Sequence, residues 1–213
     1  SVSNKDEQKF ILVSGTIEGI QKYIYSIESD TSAAKKLRAK SFYLSIFTDV
    51  MAHRLLDELN LTEANLLLSA GSKFTLVAPN IPYITDKIKN IKNELEKYMY
   101  ENFSAELFLN LDYCPCTGTE TINFNETLKS INDRLEVNKF NRFSNLIIEN
   151  PIFQEQLNYG NLCTECKKNH IPKSMKDSSC EHCSKEKKIG ELIHKIRFIV
   201  IGKGTVNDDQ SIN

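Results

Sequence analysis

The sequence lacks an excess of charge of either sign, with 27 basic residues against 28 acidic ones in 213. No field from the whole chain therefore announces a nucleic-acid binder, and any such contact must come from a local basic patch. Long hydrophobic runs are missing too. No apolar stretch approaches the roughly 20 residues that span a bilayer, and the first residues have no apolar signal-peptide core. The reading is a soluble, cytoplasmic protein. The length accommodates one packed domain plus a smaller satellite, given domains of roughly 100 to 150 residues.

Six cysteines are present, and four of them form two knuckles, Cys163-Thr-Glu-Cys166 and Cys180-Glu-His-Cys183, thirteen residues apart. In a reducing compartment, paired C-x-x-C knuckles point to tetrahedral zinc rather than disulfides. Four sulfurs close the site, so the expected metal is structural zinc with no open position for catalysis. His170 and His182 are the competing ligands. The lysines around the knuckles, interleaved with acidic residues and without an aromatic platform, read as a solvated basic surface in preference to a nucleic-acid contact. Cys114-Pro-Cys116 is too closely spaced for a knuckle and is expected in a turn beyond a strand.

The order of elements is expected to be β-α-β-β-α-β. Phe10 to Gly15 reads as a strand, and Thr16 as the cap of a helix that places Ile17, Ile20, Ile24 and Ile27 at helical spacing. A long helix covers about Ala33 to Leu59. Strand-like runs at Ala64 to Ala70 and Lys73 to Pro79 flank Gly71-Ser72, which is tight-hairpin chemistry. Pro82 opens a helix to about Phe103, and Glu106 to Tyr113 alternates like a strand. The fold class is α+β, with a ferredoxin-like sheet carrying helices on one face, followed by a small helical and zinc-binding module. The expected divisions are a disordered or tag-like 1–9, a principal domain at 10–120, a helical segment with the zinc module at 121–201, and a disordered tail at 202–213. A helix from Phe124 to about Leu146, an irregular connection from Asn150 to Asn161 and a strand at Ile196 to Ile201 complete the reading. Because the chain stops just after that strand begins, a boundary inside a longer protein is expected there. His53, with no cysteine or second histidine nearby, reads as a surface or packing residue.

At the hairpin tip, Ser69-Ala-Gly71-Ser72-Lys73 combines small residues with accessible backbone N–H groups, which lets a ligand's phosphate or base approach. Most such tips are only turns. Lys35, Lys36, Arg38 and Lys40 open the long helix with Ser41 one turn in, and unaided they read as a solvated face.

The segments Gly19-Ile-Gln-x-Tyr-Ile-Tyr25, Lys36-Leu-Arg-Ala-Lys-Ser-Phe-Tyr-Leu44 and Ser69-Ala-Gly-Ser-Lys-Phe-Thr-Leu-Val-Ala-Pro-Asn80 together resemble the first palm domain of the large subunit of type III CRISPR effector complexes, of the Csm (III-A) kind. The order of palm, helical segment and C-x-x-C module extends that resemblance over most of the chain. It implies a palm of the nucleotide-cyclase and polymerase type, in a family whose two palms hold two ATP molecules and make cyclic oligoadenylate for antiviral defence. Ser41, Ser69, Gly71 and Ser72 are then expected to line one ATP position, with Lys36 and Arg38 as candidates for phosphate or RNA contact. The family's second palm carries a Gly-Gly-Asp-Asp hairpin that holds the divalent metals, and this sequence has no such motif; nor does any of its four histidines precede an aspartate, as in the family's nuclease motif. Thr16 stands where the family often has an aspartate. The resemblance thus implies the non-catalytic ATP-binding half of a nucleotidyltransferase, inactive alone, with structural zinc as its own cofactor and ATP with divalent metal held mainly by the second palm. Expected partners are that palm, other type III effector subunits, and guide and target RNA indirectly. A scaffold module that docks neighbouring subunits and guide RNA without nucleotide is the alternative. An independent homodimeric cyclase is disfavoured, because paired metal-binding carboxylates are missing.

Overall fold

The computed structural model describes residues 7–25, 33–103, 105–149, 161–167, 169–171, 178–197 and 199. Its centre is a four-stranded antiparallel sheet of β1 (Phe10–Glu18), β2 (Leu66–Ala70), β3 (Lys73–Pro79) and β4 (Phe108–Cys116), in the order β2-β3-β1-β4. β1 is bonded on both sides, and alternation along it divides the core. Ile11, Val13 and Ile17 face one way, while Leu12 faces the other.

The first face carries α2 (Ala33–Glu58) and α3 (Pro82–Phe103), whose Leu44, Met51, Leu55, Ile84, Ile88 and Met99 fill the main core. Pro82 occupies the first helical position of α3, where its missing N–H leaves no broken bond. The opposite face is covered by α4 (Phe124–Asn138), which packs Ile131 against Leu12 and Cys114. The Asn110 side-chain amide donates to the Leu135 carbonyl at 2.7 Å and ties the last turn of α4 to β4.

Four sequence expectations are corrected. Thr16 and Ile17 belong to β1, which runs on to Glu18, and the short α1 (Ile20–Tyr25) begins only after Gly19. Two-sided pairing in the centre of a sheet overrides the helical spacing of the isoleucines. Gly19 has φ +86°, and a Cβ there would meet the Glu106 carbonyl oxygen at 2.0 Å, so the turn requires glycine. Cys114-Pro-Cys116 lies inside β4 rather than in a turn; β4 is an edge strand, where a proline breaks no ladder. The helix expected from Phe124 to Leu146 is interrupted: α4 ends at Asn138, a single turn follows, and α5 (Ser144–Glu149) starts after Phe143 at φ +56°. Ile196 and Arg197 are not in a strand, and the rest of the expected strand at Ile196 to Ile201, the connection at 150–160 and both terminal segments fall largely outside the described residues.

The cysteine module comprises the two-stranded β5 (Asn161–Leu162) and β6 (His170–Ile171), and α6 (Glu181–Leu192). α6 lies along the N-terminal half of α2. A Cβ on Gly190 would stand 2.2 Å from the Lys35 carbonyl oxygen, so the two helices meet backbone to backbone.

Candidate nucleotide face and metal centre

The hairpin joining β2 and β3 is closed by Gly71-Ser72, with Ala70 paired to Lys73. Gly71 adopts φ +64°, while Ser72 is not among the residues with positive φ, the pattern of a type II′ turn. The tip is fastened at three points. Thr48 Oγ1 donates to the Gly71 carbonyl at 3.1 Å, Ser69 Oγ donates to Asp49 Oδ1 at 2.5 Å, and the Ile17 amide donates to the Ser72 carbonyl at 2.8 Å. Gly71 nevertheless remains open, because nothing lies within 4 Å of where its Cβ would be.

Ser69, Gly71 and Ser72 are therefore brought together where the hairpin crosses α2. Ser41 is exposed on that helix, on a stripe with Ser45 and Thr48 at helical spacing; seven residues of helix separate it from Thr48, about 10 Å of rise. Asp49 was not legible as a site residue. Its only signal was its place one turn beyond Ser45, which the pairing to Ser69 turns into a contact.

Lys36 and Arg38 diverge. Arg38 is exposed, whereas Lys36 is 3% exposed and forms an ion pair with Glu165 in the first cysteine knuckle. The knuckle thus engages Lys36, while α6 packs along the same end of the helix.

The sulfurs of Cys163, Cys166, Cys180 and Cys183 all lie within 4.8 Å of one another, and those of Cys166 and Cys180 are 3.9 Å apart. A tetrahedral zinc with Zn–S bonds of about 2.3 Å sets sulfurs about 3.8 Å apart, so the residues fit that ion. The Cys180 amide donates to Cys163 Sγ at 3.2 Å. Burial pushes the Cys163 thiol up, but hydrogen bonds from the amides of Cys166, Cys180 and Glu165 outweigh it and hold the thiol at about 7. His182 belongs to a different set of contacts: its Nε2 lies 3.1 Å from Glu186 Oε1 and its ring meets Phe103 edge-on. Outside the module, burial pushes the Cys114 thiol up to about 11 and Cys116 in the same direction, which leaves them as packing residues. Among the described residues no helix is long and apolar enough to cross a membrane.

Comparison with known proteins places these features. Residues 9–158 match the family model of the Csm1 subunit domain B. The chain is 30% identical over 200 residues to the CRISPR system single-strand-specific deoxyribonuclease Cas10/Csm1 (subtype III-A) of Enterococcus italicus, covering 92% of this chain and 26% of that protein. The Mycobacterium tuberculosis protein of the same description is 33% identical over 128 residues, 60% of this chain and 15% of its own length. A crystal structure of a Csm1-Csm4 cassette in complex with cA4 aligns at a TM-score of 0.61 and 30% identity, over 68% of this chain and 20% of that one. A cassette in complex with one ATP aligns at 0.60 and 30% identity, over 66% and 20%. The chain spans about a quarter or less of the length of these relatives.

Proposed function

The chain belongs to the family of the Csm1 subunit domain B, and from that premise we propose that it is the non-catalytic ATP-binding half of a cyclic-oligoadenylate synthase in a type III-A CRISPR antiviral complex. The strand order β2-β3-β1-β4, with α2 and α3 on one face, supports reading this sheet as a ferredoxin-like palm. Ser41, Ser69, Gly71 and Ser72 line the nucleotide, with the open tip at Gly71 giving a base or phosphate access to backbone N–H groups. Arg38 is the remaining candidate for phosphate or RNA contact. The observation that carries the reading is the tip itself, pinned by Thr48, Asp49 and Ile17 yet unobstructed at Gly71. A pre-positioned tip of this kind loses little freedom on binding.

The reaction is attack of a ribose hydroxyl on an α-phosphate, with divalent metal offsetting the charge. This chain's contribution is to bind and orient one ATP against the second palm. The carboxylates for the metals come from that palm, and Asp49 here is engaged by Ser69. The cysteine module holds structural zinc through Cys163, Cys166, Cys180 and Cys183.

The test is an ATP titration of the full-length large subunit bearing Ser72→Trp. Expected is at least about a tenfold loss of affinity, from a bulky side chain in the pocket mouth. Unaltered affinity overturns the assignment.

One observation favours a second reading, the scaffold. Leu67 and Leu68 are nearly half exposed on the edge strand β2, where Leu67 joins Leu12, Val77 and Phe124 around an apolar cleft that α4 leaves uncovered. On that reading the cleft docks another effector subunit, and Ser72→Trp leaves ATP untouched.

A further inference from the structure

Two lysines that open α2 are buried, Lys36 at 3% and Lys40 at 5% exposure. Buried lysines are rare without partners. Lys36 pairs with Glu165, which stands between the knuckle cysteines Cys163 and Cys166. Lys40 Nζ donates to the Tyr23 carbonyl at 2.8 Å and lies 4.6 Å from the centre of the Tyr23 ring. Tyr23 in turn donates its hydroxyl to Glu186 Oε1 at 2.9 Å, three residues beyond Cys183. Both lysines line one small cavity of about 30 Å³ together with Glu165, Glu186, Cys166 and Cys183. Two cations and two metal-ligand residues thus line one small cavity.

A zinc ion held by four thiolates leaves a net charge of about −2 in a poorly hydrated site. A buried anion of that size is costly unless cations stand close by. Glu106, Glu165 and Glu186 line the same cavity, so the loaded cluster adds negative charge to an already acidic surrounding in which Lys36 and Lys40 are the buried cations among the described residues.

We propose that Lys36 and Lys40 are positioning residues of the metal centre, cations supplied by the sheet domain that stabilise the charged zinc tetrathiolate and seat the cysteine module on α2. This rests on the reading of the four cysteines as a zinc site. A partner outside the ligand shell changes metal affinity by about 10- to 100-fold when removed. Because coupling is reciprocal, zinc also orders what the lysines touch: the start of α2 and, through Tyr23, the α1 turn that leaves β1.

The purified chain is first assayed for zinc by native mass spectrometry; absence of zinc would sink the metal-site reading and this proposal with it. With zinc present, competition against a chromophoric chelator measures affinity, and iodoacetamide measures the alkylation rate of the bound thiolates. Lys36→Met is expected to weaken zinc by about 10- to 100-fold and to speed alkylation, since thiolates without a nearby cation are more nucleophilic. Lys36→Arg, which keeps the charge, is expected to restore both. Glu165→Gln separates charge from mere bridging and stands in should Lys36→Met not fold: it breaks the ion pair but leaves Lys36 charged, so zinc affinity holds or tightens. Weaker zinc in Glu165→Gln, or unchanged zinc in folded Lys36→Met, overturns the proposal.

Discussion

Glu96 on α3 is 4% exposed, and Lys92 stands 3.9 Å away. Burial raises its pKa, and Lys92 opposes that only in part. The folded state therefore holds the proton more tightly than the unfolded chain does. The sign follows: stability falls as pH rises through the window above the ordinary carboxylate value of about 4.3, and the loss persists at neutral pH. Glu96→Gln removes a buried charge without changing shape and is expected to stabilise by about 1 kcal/mol at pH 7, the gain vanishing near pH 4 and below. Thermal melts at the two pH values check this, and an equal gain at both would contradict it. Lys36 teaches the converse lesson at the same scale. Its sequence neighbours, Lys35, Leu37 and Arg38, gave no sign that one lysine of the run turns inward, because its partner Glu165 is 129 positions away.

At the scale of elements, periodicity made α2, α3 and the β2–β3 hairpin legible, since each is long or bounded by turn residues. The misreadings arose where tertiary contact outvoted local pattern. The spacing of Ile17 suits a helix, but pairing with Leu109 across β1 and β4 holds it in the sheet. Pro115 suggested a turn, yet an edge strand accepts it. The residues proposed for nucleotide are legible only through family resemblance, for a serine at a hairpin tip is ordinary chemistry until Thr48 and Asp49 are found beneath it. Gly190 exemplifies a feature that no local pattern gives. A Cβ there collides with the α2 backbone, so Gly190→Ala must push α6 outward. The expected outcome is faster hydrogen exchange across α6 and the start of α2, and a loss of about 1 to 3 kcal/mol on the scale of overpacked contacts. Unchanged exchange would mean that the helices do not meet as described.

For the whole molecule, sheet and cysteine module form one contiguous structure joined by buried polar contacts rather than by a wide apolar seam. Tyr23, Lys36, Lys40, Glu165 and Glu186 make up the joint. Such a joint depends on its lysines, because removing one leaves buried negative charge without its cation. Metal removal should therefore be felt beyond the module. The second face of the sheet is different: there an apolar cleft lies open between α4 and β2.

The central claim is a split active site, with this chain as the half that binds ATP without supplying the catalytic metals. Its most direct test is mass spectrometry of products after incubation with ATP and a divalent metal, with and without the part of the large subunit that contains the second palm. The account predicts linear or cyclic oligoadenylate only when both halves are present, and loss of that product with Ser72→Trp. Oligoadenylate made by this chain alone would contradict it.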